Sequence, residues 1–236
     1  MSRQGDPKER RQWVNFLFYK TDPLWRRLPE AEKQRGREEF LQVMQKYQED
    51  LILLTYSLVG VRADCDLLLW RIGYDMDKLQ HMAAELSGTG LGRYQSASYS
   101  YIAMTKRSVY VDKHVHEGQE GRRMRIVRPG RAKYLFVYPF VKTRPWYLLS
   151  QEERQKMMDV HIAVGHKYPS VKLNTTYSFG LDDQEFVVAF ETDRAEDFLD
   201  LVMDLREATS SLYTLRDTPI FTCVRKEPAE ALALLA

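Results

Sequence analysis

A chain of 236 residues, 44% hydrophobic and 29% charged, is long enough for one large domain or two smaller ones and has an ordinary globular composition. Its 35 basic and 33 acidic residues nearly balance, which gives no electrostatic reason to expect a nucleic acid partner. No apolar run approaches the roughly 20 residues needed to cross a bilayer, so we expect no membrane insertion.

The first half of the chain predicts a βαββαβ unit. An aromatic strand opens it, and the helix that follows has its apolar residues on one side. The predicted elements are a strand from Trp13, a helix over 29–49, strands over 51–59 and 66–72, a helix over 76–86 and a strand over 96–105.

The two cysteines, Cys65 and Cys223, lie in apolar, strand-like runs of the two halves. Such positions are typical of buried thiols rather than of a disulfide framework. We therefore expect a reducing, cytoplasmic location.

A basic connecting loop over 112–131 follows the first unit. His114 and His116 have no further ligand nearby, which disfavours a metal site, and no stacking aromatics interleave with the arginines as nucleic acid binding would require. Two interpretations stay open: a solvated linker, or one or two guanidinium groups that bind the carboxylates of an anionic ligand. The arginines are Arg122, Arg123, Arg125, Arg128 and Arg131.

The order of elements returns after the loop. The predicted elements are a strand over 133–142, a helix over 150–165, strands over 171–179 and 185–191, a helix over 195–207 and a strand over 220–225. The fold class is therefore α+β, with two ferredoxin-like units in tandem, at 1–111 and 132–236. The sequences of the halves are not visibly alike, so only a structural repeat is inferred. Two such antiparallel sheets could join into a barrel-like whole.

The helix of the second unit carries a histidine on its apolar face. Ser150 and Glu153 have the spacing of a capping box at its start. Either the histidine is a core residue whose nitrogens find backbone partners, or it is a neutral imidazole that holds a metal, above all a haem iron. The residues that share this face at steps of three and four are Met157, Met158, His161, Ile162 and Gly165.

The strand before this helix alternates. A phenol, Tyr138, and an ammonium, Lys142, therefore share one side of it. The alternative for Tyr138 is an ordinary core aromatic, and for Lys142 a solvated strand end. The full set on this side is Tyr134, Phe136, Tyr138, Phe140 and Lys142.

Three segments, in this order and spacing, resemble the chlorite dismutase superfamily: YPFVKTRPWYLLSQEERQKMMDVHIAVGHKYPSV, SFGLDDQEFVVAFETD and DLREATSSLYTLRDTPIF. Within it they look most like the coproheme decarboxylases. The resemblance covers roughly residues 130 to 225 well and the first half only in outline. It implies a dimeric α+β barrel fold and a homo-oligomer, usually a pentamer.

The resemblance implies a role for several residues. His161 matches the iron ligand, because the motif around it (EER, MM, H, G-x-K-Y) lines up. Tyr138 matches a tyrosine that the decarboxylases use as a radical carrier. Lys142, in the motif YP-x-x-K, would be a proton donor or a propionate partner.

Further matches concern the porphyrin. Trp146 matches a tryptophan along the haem pocket, with a core position as the alternative. Arg206 and Ser211 match an arginine and a serine that hold propionates, although Arg206 could equally be a surface charge at a helix end.

The position opposite the iron separates the branches of the family. Counting forward from His161 reaches Asn174, where chlorite-splitting members have an arginine and close decarboxylases a glutamine. An asparagine brings no positive charge, which disfavours chlorite as the substrate. The chain departs from close decarboxylases at Gln184, where they have an aromatic residue, and at Phe140, where they have a methionine.

The function implied is the peroxide-dependent oxidative decarboxylation of iron coproporphyrin III (coproheme) to haem b. Alternatives are a haem b protein with peroxidase or chlorite-splitting activity, a non-enzymatic haem carrier or sensor, and a ferredoxin-like assembly module. The expected partners are the porphyrin and further copies of the chain. A transient contact with a ferrochelatase is a further suggestion, and no nucleic acid is expected.

Overall fold

The computed structural model describes residues 10–110 and 126–235. The first βαββαβ unit consists of β1 (Trp13–Thr21), α1 (Glu30–Lys46), β2 (Ile52–Ser57), β3 (Leu67–Gly73), α2 (Met76–Gly88) and β4 (Gln95–Met104). The second consists of β5 (Tyr134–Lys142), α3 (Arg144–Leu148), α4 (Gln151–His166), β6 (Lys172–Tyr177), β7 (Phe186–Thr192), α5 (Ala195–Glu207), β8 (Thr214–Arg216) and β9 (Phe221–Arg225), and α6 (Pro228–Ala233) ends the chain. The predicted α+β class with two ferredoxin-like units is confirmed; α3, β8 and α6 were not predicted.

The two antiparallel sheets join into one. Strand order across the sheet is β7-β6-β4-β1-β3-β2-β9-β5-β8, and β5 also pairs with β7, so the strands from β7 to β5 form a closed ring. The units meet where β4 pairs with β6 and where β2 pairs with β9. A closed ring leaves few unpaired strand edges.

The inside of this ring is a single apolar core to which both units contribute. Phe18 of β1 and Phe221 of β9 pack with ring centroids 4.1 Å apart. Both cysteines are buried in this core as free thiols, as predicted. The two units therefore do not have separate interiors.

The helices cover the outer face of the sheet. In the first unit α1 and α2, together with α6, enclose a large apolar cluster that includes Trp25 and Phe40. In the second unit a smaller cluster forms between the outer face of β5–β7 and the helices α4 and α5. Tyr138, one of the predicted site residues, is part of this second cluster.

A short segment of sequence does recur between the units, contrary to our expectation that the halves are not alike. It follows the first strand of each unit and runs into the first turn of α1 in the first unit and of α4 in the second. The recurring residues, identical except for one exchange of lysine for arginine, are Trp25, Leu28, Glu32, Lys33 and Gln34, which return as Trp146, Leu149, Glu153, Arg154 and Gln155.

The predictions for His114, His116, Arg122, Arg123 and Arg125 lie outside the described residues. Arg128 and Arg131 are described, and both are exposed. The predicted boundaries of the connecting loop stay predictions. Within the described ranges no helix has the length and apolar character that a bilayer crossing requires.

Candidate active site

The outer face of β5 carries the predicted phenol and ammonium. Strand alternation turns Leu135 and Val137 into the barrel and Phe136 and Tyr138 toward the helices. The pairing of β5 with β7 is regular along its length, which fixes this alternation.

Tyr138 is a buried, protonated phenol. Its ring stacks on that of Phe190, with centroids 6.0 Å apart and an interplanar angle of 20°. Burial raises the pKa of Tyr138 well above its usual range, and the Asp217 carboxylate raises it further, while the Arg206 guanidinium opposes both. The phenol is therefore neutral at every physiological pH.

Lys142 lies at the end of β5 with its ammonium turned into the protein. The Nζ atom donates to the carbonyl oxygen of Ser210 at 2.9 Å and lies 4.6 Å from the centre of the Trp146 ring. Burial lowers the pKa of Lys142 to about 8, against the opposing effect of the Glu185 carboxylate. Such an amine can exchange a proton near neutral pH.

His161 lies in the middle of α4. The helix begins with the predicted capping box, because Glu153 N–H donates to the Ser150 hydroxyl while the Glu153 carboxylate accepts from Ser150 N–H. The imidazole is half-buried. Burial first, and the Lys142 ammonium second, lower the pKa of His161 to about 4, so the ring is neutral at pH 7.

The two nitrogens of His161 differ. Nδ1 lies 3.5 Å from the Ser210 hydroxyl oxygen. No described residue makes a hydrogen bond to Nε2. A neutral imidazole with one nitrogen engaged and the other free has the chemistry of a haem iron ligand. The described residues contain no cluster of three or more His, Cys, Asp or Glu that could hold a metal ion.

Trp146 is buried in α3, beside Lys142. Its ring packs on Tyr213 with centroids 5.5 Å apart. The structure therefore agrees both with a position along a pocket and with the alternative of a core residue.

Arg206 lies at the end of α5, and its guanidinium pairs with the carboxylate of Asp217. The Ser211 hydroxyl donates to the backbone oxygen of Arg206 at 2.8 Å. Half of the Arg206 side chain is exposed, which leaves room for a second carboxylate. The structure thus brings the predicted pair together, with Asp217 as a partner that the sequence did not reveal.

Asn174 does not lie where the count from His161 placed it. The pairing of β6 with β7 puts Asn174 opposite Ala189, which is part of the barrel interior. Its amide donates to the Glu191 carboxylate at 2.8 Å. The side chains of β6 that face the helices are its neighbours Leu173 and Thr175, so the expected position of Asn174 over the imidazole must be corrected.

Two further residues were missed by sequence reasoning. Ser210 joins Lys142 to His161, and it lies in a 3-10 turn (Thr209–Tyr213) that no local pattern predicts. Glu185 accepts hydrogen bonds from the backbone N–H of Lys142, at 2.8 Å, and from the Tyr147 hydroxyl. A buried acid directly before a strand was the available signal for Glu185.

Asp182, the first of two adjacent acids after β6, is part of the framework rather than of the site. Asp182 accepts from the backbone N–H of Ile102 at 2.8 Å and from the amide of Gln184 at 2.8 Å. It therefore links β4 of the first unit to the second unit.

Comparison with known proteins shows which family the sequence matches. The family model described as chlorite dismutase matches residues 33–226. A coproheme decarboxylase of Mycolicibacterium smegmatis is 32% identical over 80% of this chain and 81% of its own, and a chlorite dismutase of Ideonella dechloratans is 27% identical over 86% and 72%.

Solved structures show the same fold. A double mutant of chlorite dismutase from Candidatus Nitrospira defluvii has a TM-score of 0.86 at 26% identity, with 95% of each chain covered. A haem-binding protein of Thermus thermophilus has a TM-score of 0.83 at 25% identity, covering 95% of this chain and 94% of its own.

Proposed function

Because the chain belongs to the chlorite dismutase family, we propose that it catalyses the peroxide-dependent oxidative decarboxylation of iron coproporphyrin III to haem b. One observation supports this above the others: the second unit holds a neutral imidazole, His161, and a buried phenol, Tyr138. Tyr138 belongs to the apolar cluster between β5–β7 and the helices, and α4, which carries His161, packs on that cluster through Val164. His161 would hold the iron through Nε2. Lys142 and Arg206 are the nearby cations for the carboxylates of the porphyrin.

When bound, the iron porphyrin supplies the oxidation chemistry that peroxide drives. Each propionate that reacts loses carbon dioxide, one proton and two electrons and becomes a vinyl group. Hydrogen peroxide accepts the two electrons and two protons, one from the propionate and one from solution, and becomes two molecules of water. The protein has to hold the substrate and carry electrons and protons to and from defined atoms.

Tyr138 would carry the oxidising equivalent to the propionate. Its phenol is shielded from water by Phe190, and its raised pKa keeps the proton on the oxygen until an electron leaves as well. The phenoxyl oxygen can then take a hydrogen atom from the substrate. Lys142, with a pKa of about 8, would supply a proton or bind a carboxylate at the same end of the site.

A second candidate is a haem b protein that splits chlorite or acts as a peroxidase, and the similarity to the chlorite dismutase of Ideonella dechloratans favours it. The side chains of β6 that face the helices, Leu173 and Thr175, carry no charge, which disfavours chlorite as the substrate. The ammonium of Lys172 is directed elsewhere, to the Arg128 carbonyl and the Glu191 carboxylate. Nothing on this strand would hold an oxyanion on the iron.

The test is to add coproheme and at least two equivalents of peroxide to the purified protein and to follow the porphyrin by mass spectrometry. We expect a shift of the Soret band on mixing and then a loss of mass that corresponds to two molecules of carbon dioxide and four hydrogen atoms. A shift of the Soret band without loss of mass would support a carrier or sensor, and oxygen release from chlorite would support the second candidate. Absence of a shift of the Soret band with both coproheme and haem b would refute haem binding.

Assembly and cellular location are the last part of the proposal. We expect a homo-oligomer, a pentamer by analogy with the family, and exposed apolar side chains such as Leu212 and Leu215 of the second unit are surfaces that association could bury. The buried free thiols agree with a reducing cytoplasm. Analytical ultracentrifugation of the purified protein tests the assembly.

A further inference from the structure

The two βαββαβ units can be aligned residue by residue. β1 and β5 are both nine residues long, and counting from their first residues, Trp13 and Tyr134, also aligns the first residues of α1 and α4, Glu30 and Gln151. Later in each unit a 3-10 turn ends in a tyrosine: Gly92–Tyr94 in the first unit and Thr209–Tyr213 in the second. Each site residue can therefore be compared with the residue that holds its position in the first unit.

Some contacts are the same in both units. Trp25 packs on Tyr94 with ring centroids 5.7 Å apart, and Trp146 packs on Tyr213 at 5.5 Å. In each unit the tyrosine carbonyl also accepts a backbone N–H from the segment before the tryptophan, at 2.8 Å in both. Because both units have this arrangement, the contact between Trp146 and Tyr213 contributes to the shared framework, whatever else Trp146 contacts.

The buried acid before the third strand is shared as well. Asp66 accepts the backbone N–H of Thr21 at 3.0 Å, and Glu185 accepts that of Lys142 at 2.8 Å. These acceptors hold the end of the first strand of each unit in place. Glu185 is therefore framework too.

Four of the aligned positions bear on the site and carry different kinds of side chain in the two units. In the first unit three of them are packed apolar residues with at most 5% of their surface exposed. In the second unit these three positions carry a phenol, an imidazole and a hydroxyl. At the fourth position the first unit has a threonine and the second unit has a lysine. The aligned pairs are Leu17 with Tyr138, Thr21 with Lys142, Phe40 with His161 and Leu91 with Ser210.

Three of these four residues already have a role in the proposed reaction, and Ser210 does not. Building on that proposed function, we propose that Ser210 is a positioning residue, which holds the His161 ring with its proton on Nδ1 and so leaves Nε2 free for iron. The side chain is buried, and its oxygen lies 3.5 Å from Nδ1. No other described residue forms a hydrogen bond with this hydroxyl.

The Lys142 ammonium holds the turn in this position. It donates to the Ser210 carbonyl at 2.9 Å, while the Thr143 N–H donates to the Tyr213 carbonyl at 2.8 Å. The turn is thus fixed at two points close to the hydroxyl. A partner on the far nitrogen of a metal-binding histidine sets both its tautomer and the direction of its ring.

The first experiment needs no porphyrin. Nitrogen-15 NMR of the histidine rings in the porphyrin-free protein should show His161 mainly with the proton on Nδ1. Ser210→Ala should shift it toward the Nε2–H form that free imidazole side chains prefer, and Ser210→Thr, which keeps the hydroxyl, should restore the original form. Thr209→Ala, an exposed residue of the same turn, is the matched control and should change nothing.

The second experiment uses the protein loaded with coproheme. We expect Ser210→Ala to weaken coproheme binding about tenfold and to lower the iron–histidine stretching frequency in the resonance Raman spectrum of the ferrous form. An unchanged tautomer and unchanged frequency in Ser210→Ala, or the same change in Thr209→Ala, would overturn the assignment. Failure of the wild-type protein to bind any iron porphyrin would instead refute the proposed function, whatever the NMR result.

Discussion

Two side chains of the site owe their charge state to burial. His161 is neutral at pH 7 because a half-buried imidazole beside the Lys142 ammonium resists a second positive charge. Burial likewise lowers the pKa of Lys142, to about 8, so that its ammonium can lose a proton near neutral pH. A neutral imidazole keeps the ring lone pair that a metal needs, which a protonated ring does not have.

The first prediction concerns Tyr138. Tyr138→Phe should lower the rate of decarboxylation by a factor of about 100 or more, because phenylalanine cannot give up a hydrogen atom in the way a phenol can. Coproheme binding should change little. Mass spectrometry of the porphyrin gives the rate, and a Soret titration gives the affinity.

Tyr134→Phe is the matched control, since Tyr134 lies on the same side of β5 but at its first residue. It should leave the rate within about twofold of wild type. Equal rates in Tyr138→Phe and wild type would remove Tyr138 from the mechanism.

The second prediction concerns the stability of the porphyrin-free protein in acid. The unfolded chain binds a proton on His161 near pH 6.5, whereas the folded chain does so only near pH 4. Between these two pH values the unfolded state binds more protons than the folded state. The free energy of unfolding should therefore decrease by about 1 kcal/mol for each unit by which the pH is lowered, and above pH 6.5 it should have its full value. Urea unfolding at pH 7 and pH 5 measures the difference.

His161→Asn should remove most of this fall. His81→Asn, at an exposed position of α2, should retain it. A fall in His161→Asn as large as in wild type would assign the acid sensitivity to other groups.

At the scale of the element, the first turn of α4 stabilises the helix that carries His161. The capping box of Ser150 and Glu153 satisfies backbone groups that the helix itself leaves free. Ser150→Ala should lower the free energy of unfolding by about 1 kcal/mol in urea. Glu152→Ala, which removes only an exposed ion pair with Lys156, should cost less than about 0.5 kcal/mol.

β6 shows how a small error of register changes a side chain's surroundings. Successive residues of a strand point to opposite faces, so a count that is wrong by one residue exchanges the barrel interior for the helix side. The count from His161 reached Asn174, and the turn over 167–171 between α4 and β6 decides which parity is correct. Pairing with β7 assigns Leu173 and Thr175 to the helix side instead.

At the scale of the whole molecule, the shared barrel core couples the two units. Phe221 of the second unit contacts Phe18, Tyr99 and Tyr101 of the first. Phe221→Ala should therefore lower the free energy of unfolding by about 3–5 kcal/mol and should affect both units together. Circular dichroism and tryptophan fluorescence should give coincident unfolding curves, before and after the substitution.

Leu199→Ala is the control for this substitution. With 58% of its surface exposed on α5, Leu199 should contribute less than about 0.5 kcal/mol. Two separate transitions in the wild-type protein would show that the units unfold independently, against the expectation from the common core.

The amino-acid sequence by itself determined the order of the elements and the faces of β5 and α4. Periods of two and of three to four residues are local properties, so they place Tyr138 with Lys142 and His161 with its helix neighbours before any contact is known. The repeat of Trp25 and its neighbours around Trp146 was also present in the sequence and was overlooked.

Only the tertiary structure decided which residues meet across elements. Ser210, Lys142 and His161 come from a turn, a strand and a helix that are distant in the chain, and no local pattern relates them. The side on which Asn174 lies depends on pairing with β7, and the closure of the barrel depends on pairing between the units. Such contacts are set by the joint packing of the whole sheet, since each strand's burial depends on its neighbours.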